Sequence, residues 1–366
     1  MSTEPEHERP AGGTSPTVGS DVPGRVTGLD AARALAILGM LAVNIGPRDE
    51  GGVTGKLLIL PHGRASMLFV LLAGIGFTLL TRRAREGAPV PWQQVLWRAL
   101  VLLLVGLSTQ LLDHGLDVIL TTYAMLFLVA LAFVKAPSWL LLASTAAIVI
   151  TGPLVWLAAQ VAGPTFDRDP ASLLDAPGEI VASTLLTGPY PVATWMAPFL
   201  FGMWLGRRRL RARRVQMRLI LVGAAAAMTA EFGARALEAW LGMPDGAPGL
   251  DWLTSAAPHS QMPLWLIAAT GAAAFVLGLT LLIEPHLGRL GWPLVATGQL
   301  ALTVYVAHLF MIAWIVRPGP ETAAGGMVAT VALALALAVG SVGWRHFFIH
   351  GPLEALLRVR LHARSG

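Results

Sequence analysis

The chain has 366 residues, 55% of them hydrophobic and only 13% charged, and a mean hydropathy of +0.65, a balance that excludes an ordinary water-soluble domain. The absence of cysteine excludes disulfides, thiolate nucleophiles, zinc–thiolate sites and iron–sulfur clusters. A net charge of +5 and a pI near 10.4 would suit nucleic acid, but the basic residues cluster between apolar runs and report topology instead, so no nucleic-acid partner is expected.

Residues 1–24, MSTEPEHERPAGGTSPTVGSDVPG, have the Pro, Gly, Ser and Thr content of a disordered tail. A secretory signal is not expected there, because acidic residues precede a full-length apolar run. Crossing ~30 Å of hydrocarbon takes about 20 apolar helical residues. Ten runs of that kind follow, near 28–46, 65–81, 95–112, 116–134, 138–160, 191–206, 218–240, 262–283, 292–316 and 326–348. The expected fold is all-α, a multi-pass helical bundle over 25–350 embedded in the lipid bilayer of the cell membrane, followed by a cytoplasmic segment at 351–366.

Lys and Arg set the orientation. With the amino terminus inside, the inner loops and tails hold Arg25, Arg82, Arg83, Arg85, Arg98, Lys135, the run RRRLRARRVQMR from Arg207 to Arg218, Arg289, Arg345, Arg358, Arg360 and Arg364. The outer loops hold Arg48, Lys56, Arg64, Arg168 and Arg317. Both termini are therefore expected to be cytoplasmic. The 207–218 run reads as a stop signal that contacts anionic lipid.

The first run, LDAARALAILGMLAVN over 29–44, carries Asp30 and Arg33 at one end and Asn44 at the other. At 100° per residue Arg33 and Asn44 fall on nearly one face, about 16 Å apart along the axis, and Asp30 shares it. Polar groups within a bilayer usually face a bundle interior or a water-filled cavity, so this stripe is expected to line an internal path; the bland reading is an interfacial Asp30–Arg33 pair with Arg33 snorkelling. His62, Asp113, His114, Tyr190, Tyr305 and His308 should collect near the outer face, a grouping suited to proton transfer. For His308 the competing reading is a hydrogen bond to a neighbouring helix. Glu231 and Arg235, four apart, are read as a structural pair.

At GLDAARALAILGMLAVN, PHGRASMLFVLLAGIGF, YPVATWMAPFLFGMWLGR, ATGQLALTVYVAHLFMI and WRHFFIHGPLEALLRVRL, spread from Arg25 to His362, the sequence resembles the YeiB-like proteins, or domain of unknown function 418. That family is grouped with transmembrane acyltransferases, among them the heparan-alpha-glucosaminide N-acetyltransferases and acyltransferase family three. The resemblance implies a donor of cytoplasmic acyl-coenzyme A, chiefly acetyl-coenzyme A, and an extracytoplasmic small-molecule or glycan acceptor bearing a hydroxyl or amine. Acyltransferase family three has an Arg and, after ten residues, a His in its first helix. Here Arg33 matches and Asn44 stands at the His position, as in the heparan-type enzymes, whose functional His lies in the loop before the second span.

His62 occupies the comparable loop and is the first choice for a general base or acyl carrier, with His308 and Asn44 as further catalytic candidates. Arg33 and Arg98 are expected to hold the coenzyme A phosphates. Arg64, Tyr190, Tyr305 and Asp113 are expected at the acceptor. No metal site is indicated, and neither a P-loop nor a GxGxxG fingerprint occurs. A proton-coupled transporter or flippase would also suit ten spans with a polar stripe, although no internal repeat of the Arg33–Asn44 pattern supports one. A non-catalytic membrane scaffold is the third reading. The residues do not fix an oligomeric state.

Overall fold

The structure, a computed structural model, describes residues 25–47, 51–162, 169–244, 246 and 248–358. The tail expected at 1–24, the loop residues Arg48 and Arg168, and 359–366 lie outside the described residues.

The chain runs through α1 (Thr27–Ile45) and α2 (Gly52–Ile59), and into α3 (Arg64–Leu80) after Gly63. The short α4 (Arg82–Arg85) leads to α5 (Trp92–Thr109), α6 (Leu120–Ala130) and α7 (Ser138–Ala162). Next come α8 (Pro177–Ala182), α9 (Val192–Leu205), α10 (Arg213–Leu241) and α11 (Pro263–Ile283). Leu300 separates α12 (Trp292–Gln299) from α13 (Ala301–Met311), and α14 (Ala323–Phe347) and α15 (Pro352–Leu356) are the last described helices. Among the described residues there is no strand. Seven helical stretches of the described residues are long and apolar enough to cross a membrane, or eight if the bent α12–α13 pair is one span.

All ten apolar runs read from the sequence fall on helices, but three differ from plain spans. α6 with its 3₁₀ extension to Phe133, and the 14-residue α9, are shorter than the ~20 residues a span takes. The run 292–316 is not a continuous helix: the chain bends by 89° between α12 and α13. The cause is packing. Gly298 lies so close to α1 that a Cβ there would sit 1.7 Å from the Asp30 carbonyl oxygen, fixing α12 against that helix.

The exposed first amides of α13 find their acceptor elsewhere in the chain. Glu354 Oε1 accepts from the backbone N–H of Leu302 (2.7 Å) and Thr303 (3.1 Å), while its Oε2 accepts from Thr303 Oγ1 (2.6 Å). A helix start leaves N–H groups without intrahelical partners, so a carboxylate placed there satisfies two and complements the positive end of the dipole. Trp97 Nε1 holds the same segment by donating to the Leu356 carbonyl at 2.8 Å. The residues assigned to a tail after 350 thus dock onto the bundle as far as they are described.

At the centre, α9 is buried on nearly every face, with Trp195 and Phe199 fully enclosed. α3 approaches it through facing glycines: a Cβ on Gly74 would lie 2.1 Å from the Phe199 carbonyl oxygen, and one on Gly202 would lie 2.1 Å from that of Leu71. Outward-facing Val222, Phe232, Leu335 and Val339 remain exposed. Helices apolar outside as well as inside suit a lipid surround, and the chain is a membrane protein.

Candidate functional site

α1 spans the distance between two cavities of opposite chemistry. Arg33 lines one, of about 530 Å³, and Asn44 lines the other, of about 340 Å³. α3 and α13 do the same, with Leu80 and Leu302 at the first cavity and Ser66 and His308 at the second.

The first cavity has a cationic mouth formed by Arg25, Arg33, Arg98 and Arg358 with His350. Asp30, 1% exposed, is already shared: Arg25 Nε donates to Oδ2 at 2.6 Å and Nη2 to Oδ1 at 2.9 Å, while Arg33 Nη1 donates to Oδ1 at 2.7 Å. One carboxylate between two guanidinium groups leaves a net positive charge. Glu354, the other carboxylate on this wall, is engaged by the start of α13. Arg98 Nε is buried without a protein partner among the described residues. His350, in the segment after α14, is held below the usual imidazole range by burial and then by the guanidinium groups of Arg358, Arg345 and Arg25. A field that disfavours a further proton is one that favours an anion.

Deeper in, the wall of this cavity turns apolar and aromatic, with Leu72, Phe77 and Phe127 leading to Phe69 and Tyr123. The Phe69 ring stacks on Tyr123 (centroids 5.5 Å, 26°) and on Tyr305 (5.9 Å, 10°). Tyr305 belongs to the wall of the second cavity. A stack of three aromatic rings therefore links the walls of the two spaces.

The second cavity gathers Asn44, His62, Tyr190, His259, Tyr305 and His308. His308 is 1% exposed, and its Nδ1 bonds the Tyr305 backbone carbonyl one turn earlier. A carbonyl only accepts, so Nδ1 carries the hydrogen and the neutral ring keeps its lone pair on Nε2. That Nε2 is buried without a protein partner among the described residues. His62 faces His259 across 5.4 Å between ring centroids. Tyr305 Oη accepts from the Ile119 N–H at 3.3 Å, which fixes its ring.

His259 was not found by reading the sequence. It lies in the connection between α10 and α11 at a positive φ of 59°, followed by Gln261 at 66°. Such backbone is costly for non-glycine residues and needs support. The Gln261 side chain provides it: Oε1 accepts from Thr194 Oγ1 (2.8 Å) and Trp195 Nε1 (3.0 Å), and Nε2 donates to the Pro189 carbonyl (3.0 Å). The available signal was the Pro-His dipeptide, which occurs three times and at Pro61-His62 and Pro258-His259 stands shortly before a long apolar helix.

Three expected residues lie elsewhere. Asp113 is exposed and does not line the second cavity; Asp117 does. His114 is fully buried in the turn after α5, with Nε2 on the Thr109 carbonyl (3.0 Å) and Nδ1 accepting from the Leu116 N–H (3.0 Å). Both ring nitrogens are thus used structurally. Arg64 donates to the Leu60 carbonyl at 2.9 Å and pairs with Glu231, which Arg235 approaches at 3.9 Å. It lines a neighbouring space of about 540 Å³ that also contains Glu238 and Trp252 and meets the second cavity at Pro258 and His259.

These features define a polytopic helical membrane protein with a cationic and an imidazole-lined cavity whose walls share an aromatic stack. The chain matches the acyltransferase domain over residues 26–344 and belongs to that family, acyltransferase family three. No curated protein matches the chain.

Proposed function

We propose that this protein transfers an acyl group, chiefly acetyl, from acyl-coenzyme A in the cationic cavity to a hydroxyl or amine acceptor, a small molecule or glycan, in the imidazole-lined cavity. In this reading the cationic mouth is cytoplasmic, as are both termini. The ten helical runs cross or line the cell membrane, and the acceptor arrives from outside. The Arg33–Asn44 pattern, with His62 before the second long helix, keeps the chain near the YeiB-like and heparan-type branch.

The observation that carries the reading is the pairing of an anion-attracting cavity with a base whose tautomer is set, His308 Nε2, in a second cavity whose wall shares an aromatic stack with the first. Arg33, Arg98 and Arg358 engage the donor phosphates through charge-assisted hydrogen bonds. His308 Nε2 takes the proton from the acceptor as its oxygen or nitrogen bonds to the thioester carbonyl carbon. The tetrahedral intermediate then collapses, the carbon–sulfur bond breaks, and the coenzyme A thiolate leaves with the electron pair and regains a proton. His62 and Asn44, on the facing wall, orient the acceptor. This departs from the first choice made from sequence, because a base is best identified by a nitrogen with a free lone pair.

The test is transfer of radiolabelled acetyl from acetyl-coenzyme A into the glycan fraction of isolated membranes. Membranes carrying the protein should incorporate label, and His308→Ala membranes should not. Equal incorporation with and without the protein would defeat the proposal and return attention to proton-coupled transport.

A further inference from the structure

Among the described residues, the cationic cavity holds two buried polar atoms without a protein partner that its phosphate-binding role does not use. One is Tyr123 Oη, on a residue 5% exposed; the other is Gln299 Oε1, at the last residue of α12. Both residues line the cavity, and Tyr123 is part of the aromatic stack. Buried polar groups are almost always bonded, so each calls for an explanation. The two are complementary: a hydroxyl can donate, and an amide oxygen only accepts. A ligand arm that satisfies both must carry a hydrogen-bond donor and an acceptor. A pantetheine arm ending in a thioester carries both, and an apolar slot of this kind suits its methylenes.

Resting on the donor assignment proposed above, we propose that the wall between Gln299 and Tyr123 is the subsite for the donor's pantetheine arm, where Gln299 Oε1 accepts an amide N–H, Tyr123 Oη donates to the acyl carbonyl oxygen, and Phe69 limits acyl length. Phe69 is placed for that role because its ring fills the space between Tyr123 and Tyr305, so the carbons beyond the carbonyl meet it first. The hydrogen bond from Tyr123 strengthens as the acceptor adds and the carbonyl oxygen gains negative charge. No group is consumed. The acceptor's proton goes to His308 and the electron pair of the broken carbon–sulfur bond to the thiolate, as in the transfer step itself.

The experiment measures binding of three probes, coenzyme A, acetyl-coenzyme A and hexanoyl-coenzyme A, to the purified full chain in lipid nanodiscs. Tyr123→Phe removes one oxygen and keeps the ring stack. It should weaken acetyl-coenzyme A about tenfold, equivalent to ~1.4 kcal/mol, and leave coenzyme A unchanged. Phe69→Ala, or Phe69→Leu if the first variant does not fold, should improve hexanoyl- relative to acetyl-coenzyme A at least tenfold. An unchanged acetyl-coenzyme A affinity in Tyr123→Phe, an equal loss for coenzyme A, or an unchanged chain-length ratio in both Phe69 variants would overturn the subsite while leaving the donor assignment standing. Failure of the wild-type chain to bind any of the three probes would overturn the donor assignment, and the subsite with it.

Discussion

Glu354 accepts the backbone N–H of Leu302 from 52 residues away, and this contact joins the end of the described chain to the break between α12 and α13. The same carboxylate faces the cationic cavity, so one residue holds both the helix start and the cavity wall. Removing a helix-start acceptor typically costs about 0.5–2 kcal/mol. Glu354→Ala should lower thermal stability in detergent by an amount in that range, whereas Glu354→Gln, which keeps one oxygen acceptor, should lose less. Equal stability of the three proteins would mean the contact is not maintained in solution.

Gly298 offers a sharper test of the same region. A Cβ there would meet the Asp30 carbonyl carbon at 2.5 Å as well as its oxygen, and backbone cannot swing aside as a side chain can. Overpacking commonly costs about 1–3 kcal/mol. Gly298→Ala should reach or exceed that cost and displace Asp30 from Arg25 and Arg33. Thermal melts of the purified variant give the first outcome; weakened coenzyme A binding gives the second.

The helices were legible in the sequence because lipid tolerates little but long apolar runs. The 89° bend at Leu300 was not, because its one local mark, Thr297-Gly298-Gln299, sits inside a long apolar run, and its causes, the Asp30 carbonyl and Glu354, lie far away in the chain. In the candidate site, the Arg33–Asn44 stripe could be read from helical periodicity alone. His259 could not, since a loop held at positive φ by a glutamine network has no period to detect. The Asp113 assignment missed by one turn of chain: the ring of His114 bonds Thr109 and Leu116, and that tight turn presents Gly115 to Asp117 to the cavity instead.

The tautomer of His308 leads to an ordering of effects. His308→Ala should lower acetyl transfer by the ~10²–10⁴-fold typical of general acid–base groups, with donor affinity retained. His62→Ala should act mainly on the acceptor, raising its KM more than it lowers kcat. The opposite ordering, measured in the same membranes, would return the base role to His62.

Orientation can be read chemically because the chain has no cysteine of its own. Lys56 and Arg209 are both exposed. With an impermeant thiol reagent on intact cells, Lys56→Cys should label and Arg209→Cys should not. The reverse pattern would place the cationic cavity outside and separate it from cytoplasmic coenzyme A.

The last prediction concerns acid, and it rests on His114 in the connection between α5 and α6. Burial holds this imidazole below its usual range, with further repulsion from Arg317, whose Nε donates to the His114 carbonyl at 2.8 Å. The bond from Nε2 to the Thr109 carbonyl and the nearby Asp113 carboxylate pull the other way without outweighing burial, and the second ring nitrogen resists protonation. Nδ1 accepts from the Leu116 N–H, so a proton on Nδ1 would set two donors against each other. The unfolded chain takes up its proton near the ordinary imidazole pKa of about 6.5. Between that value and the lower folded-state pKa, the unfolded state binds more protons, so stability must fall as pH falls. The contribution is complete above pH ~6.5 and declines by at most ~1.36 kcal/mol per pH unit below it, until the folded imidazole also titrates. Melting of the wild-type chain between pH 7.5 and 5 should therefore show a steeper acid loss than His114→Asn, which is destabilised throughout but lacks this proton. Hydrogen exchange should locate the difference at residues 109–119. If the two proteins lose stability in parallel as the pH is lowered, the acid sensitivity belongs to other groups and His114 is not its source.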